Sequence, residues 1–96
     1  MEESERAREY ERFTEPPDVN RLASTWWRAE AALYRRQVSH SSPEENRERM
    51  REIEGGIAEL ESEPDDPEAP QSLHQLKAMW FWAYEAATSS AASHEK

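Results

Sequence analysis

The sequence predicts an all-α fold: a small antiparallel three-helix bundle with an additional charged N-terminal helix or arm. Three observations carry that expectation. Pro16-Pro17, Pro43, Pro64, Pro67 and Pro70 divide the 96 residues into stretches nearly free of helix breakers. Those stretches are rich in Ala, Leu, Glu, Arg, Gln and Met and poor in β-branched residues, which favours helix over strand. Within them, apolar side chains recur at spacings of three and four.

Residues 1–15 are the charged N-terminal helix or arm. Its large apolar side chains are Tyr10 and Phe13, three apart and able to share one helical face. Residues 16–89 are the bundle, with helices over about 18–39, 43–63 and 72–89, and 90–96 is a tail expected to fray. Asp18 is placed to cap the first bundle helix after the two prolines. On that helix Val19, Leu22, Ala23, Trp26 and Leu33 share one side, and Trp27, Tyr34 and Val38 extend the stripe round the flank. Arg21, Arg28 and Arg35 repeat every seven residues on the opposite, solvated face.

The second bundle helix has the strongest start signal. Ser42-Pro43-Glu44-Glu45 combines a hydroxyl at the N-cap, proline at the first helical position, capping-box spacing and acids near the positive end of the dipole. Met50, Ile53, Ile57 and Leu60 form a narrow apolar seam. Gly56 flanks that seam, and the Gly55-Gly56 pair reads as close approach of a bulky neighbour such as a Trp, or as a functional hinge. The Pro64–Pro70 linker reads as extended, and Ser72 with Gln75 reads as a second capping box opening the third bundle helix. On that helix Leu73, Leu76, Trp80, Ala83, Tyr84 and Ala87 form the stripe that should meet the other two helices.

That helix then has apolar side chains left over. Met79, Trp82 and Ala86 lie largely opposite Trp80, and Phe81 lies between. Trp27, Phe81 and Trp82 together would present roughly 450–750 Å² if left in water. Monomers tolerate a largest exposed apolar patch of about 300–600 Å². Three covers are available: the chain's own N-terminal segment through Tyr10 and Phe13, a second copy, or a different protein.

Composition excludes several function classes. Twenty-one acids against twelve bases give a net charge of −9, with a mean hydropathy of −1.15. From Glu54 to Glu68 the acids Glu54, Glu59, Glu61, Glu63, Asp65, Asp66 and Glu68 occur with no base among them. A basic nucleic-acid footprint and attachment to an anionic membrane are therefore not expected. The acidic run reads as a solvated face, as an electrostatic docking surface for a basic partner, or as a nucleic-acid mimic. Arg47, Arg49 and Arg51 interrupt the acids earlier in the same helix and weaken the mimic. There is no Cys, no apolar run of membrane-spanning length and no signal-peptide pattern at the N-terminus, so a cytoplasmic location is expected.

No catalytic or metal-binding constellation is legible. His40, His74 and His94 stand in no HExxH or ExxH pattern, His74 reads as helix-start surface, and no Ser stands in a GxSxG elbow. No enzyme activity, metal or cofactor is expected. Glu30 stands out, because a carboxylate one turn from Trp26, Trp27, Leu33 and Tyr34 needs a partner. It reads either as bonded to an indole N–H or an Arg, or as an interface hot spot.

The expected function is a protein-binding module, acting as adaptor, accessory subunit or inhibitor. Its contact residues would be Trp27, Glu30, Tyr34, Met79, Phe81 and Trp82, with the acidic run supplying electrostatic docking. The alternatives are a self-assembling homo-oligomeric subunit and an acidic nucleic-acid-mimic inhibitor of the mobile-element type. Ten Arg against two Lys suggests a GC-rich coding sequence, bacterial or phage.

Overall fold

The structure, a computed structural model, describes residues 3–16, 21–63 and 65–94, with the backbone alone at 21–23 and 89–94. Its elements are α1 (Glu3–Glu11), one 3-10 turn (Arg12–Thr14), α2 (Arg21–Ser39), α3 (Pro43–Glu61) and α4 (Ala69–His94). Four helices pack together, and no strand occurs among the described residues. The cap expected at Asp18 lies outside the described residues, as do Val19 and the side chains of Arg21, Leu22 and Ala23.

The start of α3 follows from its sequence. The Ser42 hydroxyl accepts from the Glu45 N–H at 3.2 Å, while Glu45 Oε1 accepts from the Ser42 N–H at 2.9 Å. Two backbone donors that helix geometry leaves orphaned are thereby satisfied. Those bonds from Ser42 hold the Glu45 carboxyl below its ordinary value.

The start of α4 differs from expectation. Asp66 Oδ1 accepts from the Glu68 N–H at 2.9 Å, and the Ala69 N–H donates to the Asp66 carbonyl at 3.1 Å. This side-chain-closed turn delivers the chain into helix at Ala69, and Pro70, lacking an N–H, is tolerated in the first turn. The Ser72 N–H already donates to the Glu68 carbonyl at 3.1 Å. Ser72 is thus a residue within the helix rather than its cap. At the other end α4 continues past Ser89 to His94.

The centre of the fold is α4. Trp80, Phe81 and Trp82 are consecutive, so they leave the helix at steps of about 100° and no single neighbour can cover all three. From α3, Met50, Ile53 and Ile57 bury Trp80 together with Ala83, while Tyr10 of α1 meets the Trp80 ring edge-on at 5.3 Å. Phe13 of the 3-10 turn packs against both buried clusters, as do Phe81 and Met79. From α2, Trp27 forms a second cluster with Ala78 and Trp82. The leftover apolar face therefore has covers within the chain: the N-terminal segment on one flank and α2 on the other.

Trp80 is fully buried at 0% exposure, yet its indole N–H is satisfied by Glu54 Oε2 at 2.8 Å. The same oxygen pairs with Arg6 at 3.0 Å, and Arg47 of α3 pairs with Glu3 of α1 at 2.8 Å. Glu54, expected among the docking acids, instead joins α1, α3 and α4.

The core side of α2 is rotated about 100° from the centre of the stripe expected. Trp27 and Val38 are buried and Tyr34 is half-buried, whereas Trp26 is 50% and Leu33 60% exposed. Two apolar stripes run along this helix about 100° apart, and α4 accepts the aromatic one. Near the α2–α3 turn the fully buried Asn46 donates to the Val38 carbonyl at 2.9 Å and accepts from Arg49 at 2.9 Å. Asn46 thereby satisfies one of the C-terminal carbonyls of α2 that helix geometry leaves free.

The glycines also differ from expectation. A Cβ at Gly56 would lie 3.5 Å from Leu76 Cδ1, an ordinary contact, and one at Gly55 would meet nothing within 4 Å. Neither has a positive φ. No Trp presses on the helix here.

Two stability predictions follow. Glu54→Ala strands the Trp80 indole N–H and should destabilise by about 2–3 kcal/mol in urea unfolding, with Glu54→Gln, which keeps an acceptor, losing less. Gly55→Ala and Gly56→Ala should each stabilise by about 0.5–1 kcal/mol in the same assay; a loss at Gly56 would show that Leu76 has no room to yield.

Candidate functional site

Five of the six expected contact residues come together. Trp27, Glu30, Tyr34, Met79 and Trp82 line one cleft of about 70 Å³ between α2 and α4, with Ala31 and Gln75. Phe81 is not among them; it lines the opposite flank of α2, near Arg28 and Arg35. The cleft is small, with room for a few waters or the tip of one side chain.

Its aromatic members are mostly interior. Trp27 is 5% and Trp82 7% exposed, their rings 6.3 Å apart, and Tyr34 lies 6.3 Å from Trp82. The large aromatic surface expected from Trp27, Phe81 and Trp82 is thus absent, because α2 lies directly on Trp82. The exposed apolar surface lies one position earlier in α2, at Trp26 and Leu33. These two are seven residues apart, about two helical turns, with Glu30 between them at the edge of the cleft. Glu30 is exposed and has neither an ion pair nor a hydrogen bond among the described residues, so the structural bond expected for it does not form.

The Tyr34 hydroxyl is buried with no hydrogen-bond partner. Burial pushes its pKa up, and the Arg49 charge partly offsets that rise. A buried phenol without a partner loses its hydration with no return.

The acidic run divides into two groups. Glu54 bonds Trp80 and Arg6, Asp66 closes the turn into α4, and Glu61 lies 4.0 Å from Lys77. Glu59, Glu63, Asp65 and Glu68 are exposed. Lys77 is held over the rings of Phe13 and Tyr10, at 4.9 and 5.6 Å.

His74 does more than sit at a helix start. Its Nε2 bonds the Glu15 carbonyl at 2.9 Å, and its ring lies edge-on to Phe13 at 5.2 Å and Trp27 at 5.0 Å. It fastens the end of the N-terminal segment to α2 and α4. Its spacing to those rings is not visible in sequence, since 59 residues separate it from Glu15.

Among the described residues no group of three or more His, Asp or Glu side chains is arranged to hold a metal, and no helix is long and apolar enough to cross a membrane. Comparison with known protein families, with curated proteins and with solved structures returned no match.

The orphan hydroxyl generates a prediction. Tyr34→Phe keeps the ring against Trp82 and removes the unpaired group, so it should raise stability by about 1 kcal/mol in chemical denaturation. A loss of similar size would reveal a partner for that oxygen.

Proposed function

We propose that the chain is a small helical protein-binding module: an adaptor, accessory subunit or inhibitor that acts on another protein without chemistry of its own. Its frame is read as an antiparallel three-helix bundle with α1 laid along it. The observation that carries the reading is the pair Trp26 and Leu33, half or more exposed and two turns apart on α2 beside the Glu30 cleft. An exposed indole is a side chain on which binding energy concentrates, and a helix face with anchors at i and i+7 suits docking into a partner's groove.

Charge decides between a partner and a second copy, and area sets the size of the footprint. A half-exposed Trp contributes roughly 100 Å², well short of the ~800 Å² per partner in a standard interface. The pair therefore acts as an anchor within a larger footprint. Two copies pairing through this face would bring two charges of −9 together and place Glu30 near its own counterpart. That favours a different protein. The mimic reading loses support because Glu54 is committed to Trp80 and Arg6 and Asp66 to the turn into α4.

Photo-crosslinking tests the proposal. A crosslinking amino acid at position 33 should trap a partner polypeptide in extracts of the native host, and one at Glu48 on the outer side of α3 should not. Trp26→Ala, with the crosslinker kept at 33, should reduce trapping at least about tenfold without shifting the melting temperature, since the ring is half in water. Equal trapping from positions 33 and 48 would remove this surface from consideration, and trapping of a second copy would move the assignment to self-assembly.

A further inference from the structure

The opposite flank of α2 carries a different arrangement. Two clefts of about 480 and 510 Å³ run along it and share Ala32, Arg35, Trp82 and Glu85, so they form one continuous groove. Its α2 wall carries Arg28, Arg35 and Arg36, all exposed. None of the three has an ion pair among the described residues, in a chain with 21 acids. On the side away from α2 are Glu11 of α1 and Glu85 of α4. The floor is the half-buried Phe81 with the edge of Trp82, which is 7% exposed, and the small Ala31 and Ala32 keep it open.

We propose that this groove is a second docking site, and that its occupant is an amphipathic helix of a partner protein with carboxylates along one edge and basic side chains along the other. The apolar stripe of that helix faces Phe81 and the exposed edge of Trp82, and the charged walls supply the selectivity. Its carboxylates reach Arg28 and Arg35, which are about 10.5 Å apart along α2, so acids at i and i+7 on a helix of the same pitch match them. Its basic edge meets Glu11 and Glu85. A nucleic-acid strand would place phosphates against those two carboxylates, and a second copy would bring a further charge of −9. The mixed walls select a mixed-charge ligand over either. This site shares no exposed anchor with the Trp26–Leu33 face, so either can fail without the other.

The test uses three fluorescein-labelled, helix-stabilised peptides with the same apolar stripe, titrated against the full chain by anisotropy. One carries an acidic edge and a basic edge, one has both edges acidic and one both edges basic. The mixed peptide should bind in a saturable, salt-sensitive way, with the other two at least about tenfold weaker. The double variant R28E/R35E, whose sites are exposed and whose folding is checked by circular dichroism, should lose about tenfold for the mixed peptide and gain affinity for the doubly basic one. No saturable binding of the mixed peptide, equal binding of all three, or binding unchanged in the double variant would each overturn the proposal. So would displacement of the peptide by a DNA oligonucleotide of lower Kd, or concentration-dependent self-association that R28E/R35E abolishes.

Discussion

Three aromatic side chains in succession impose the architecture. Trp80, Phe81 and Trp82 sweep about 200° of the α4 circumference, and each loses hydrophobic stabilisation if left in water. A helix of this kind cannot lie on the outside of a bundle and must be enclosed. Here α3 takes the Trp80 side, α1 with its 3-10 turn takes the flank between, and α2 takes the Trp82 side. Burying Trp80 completely brings a second requirement, because its indole N–H must find an acceptor away from water. Glu54 supplies one and would itself be a costly half-buried charge without Arg6. The ion pair is therefore best seen as what makes a buried tryptophan tolerable, and as the reason the N-terminal helix lies where it does.

Enclosing α4 leaves α2 with a different status. It meets α4 along one stripe, through Trp27, Ala31, Tyr34 and Val38, and both of its flanks face outward. One flank is apolar with a single carboxylate, and the other is basic above an aromatic floor. A helix that lay in the angle between two neighbours would have had one of those flanks buried. The available binding surfaces are thus consequences of the packing around α4, with α2 bearing most of them.

Much of this was legible in the sequence, and the misreadings have identifiable causes. The α3 cap was readable because every group in it lies within four residues, from Ser42 to Glu45. Helix identity was readable from the prolines and the spacing. The phase of α2 was not, since Trp26 with Leu33 and Trp27 with Tyr34 and Val38 form two credible apolar stripes. The second is selected by long-range contacts: Trp82 against Trp27 and Tyr34, the His74 ring against Trp27, and the Trp27 indole N–H donating to the Thr14 carbonyl. Asn46 itself left a signal: it precedes Met50 by four and Ile53 by seven, so it belongs to the seam, and a polar residue there demands partners. The start of α4 is hidden in the sequence because Pro64, Pro67 and Pro70 read as breakers, whereas Pro70 in a first turn is compatible with helix and Asp66 has the turn chemistry to begin one.

The charge distribution follows the same division between interior and exterior roles. Counting acids along the chain treats Glu54, Asp66 and Glu68 alike, yet Glu54 is bonded to an indole and a guanidinium while Glu68 stands in water. The bases divide in the same way: Arg6, Arg47 and Arg49 have defined partners, and Lys77 lies over two rings. Three of the exposed bases without an ion pair among the described residues, Arg28, Arg35 and Arg36, lie together on α2, with Arg8 on α1 and Arg51 on α3 standing apart from them. A molecule of net charge −9 therefore carries three exposed guanidinium groups along one flank of α2, facing the carboxylates of Glu11 and Glu85. An approaching partner helix with both signs of charge would be oriented by that contrast before contact, and the orientation would be lost once salt shortens the screening length below the width of the groove.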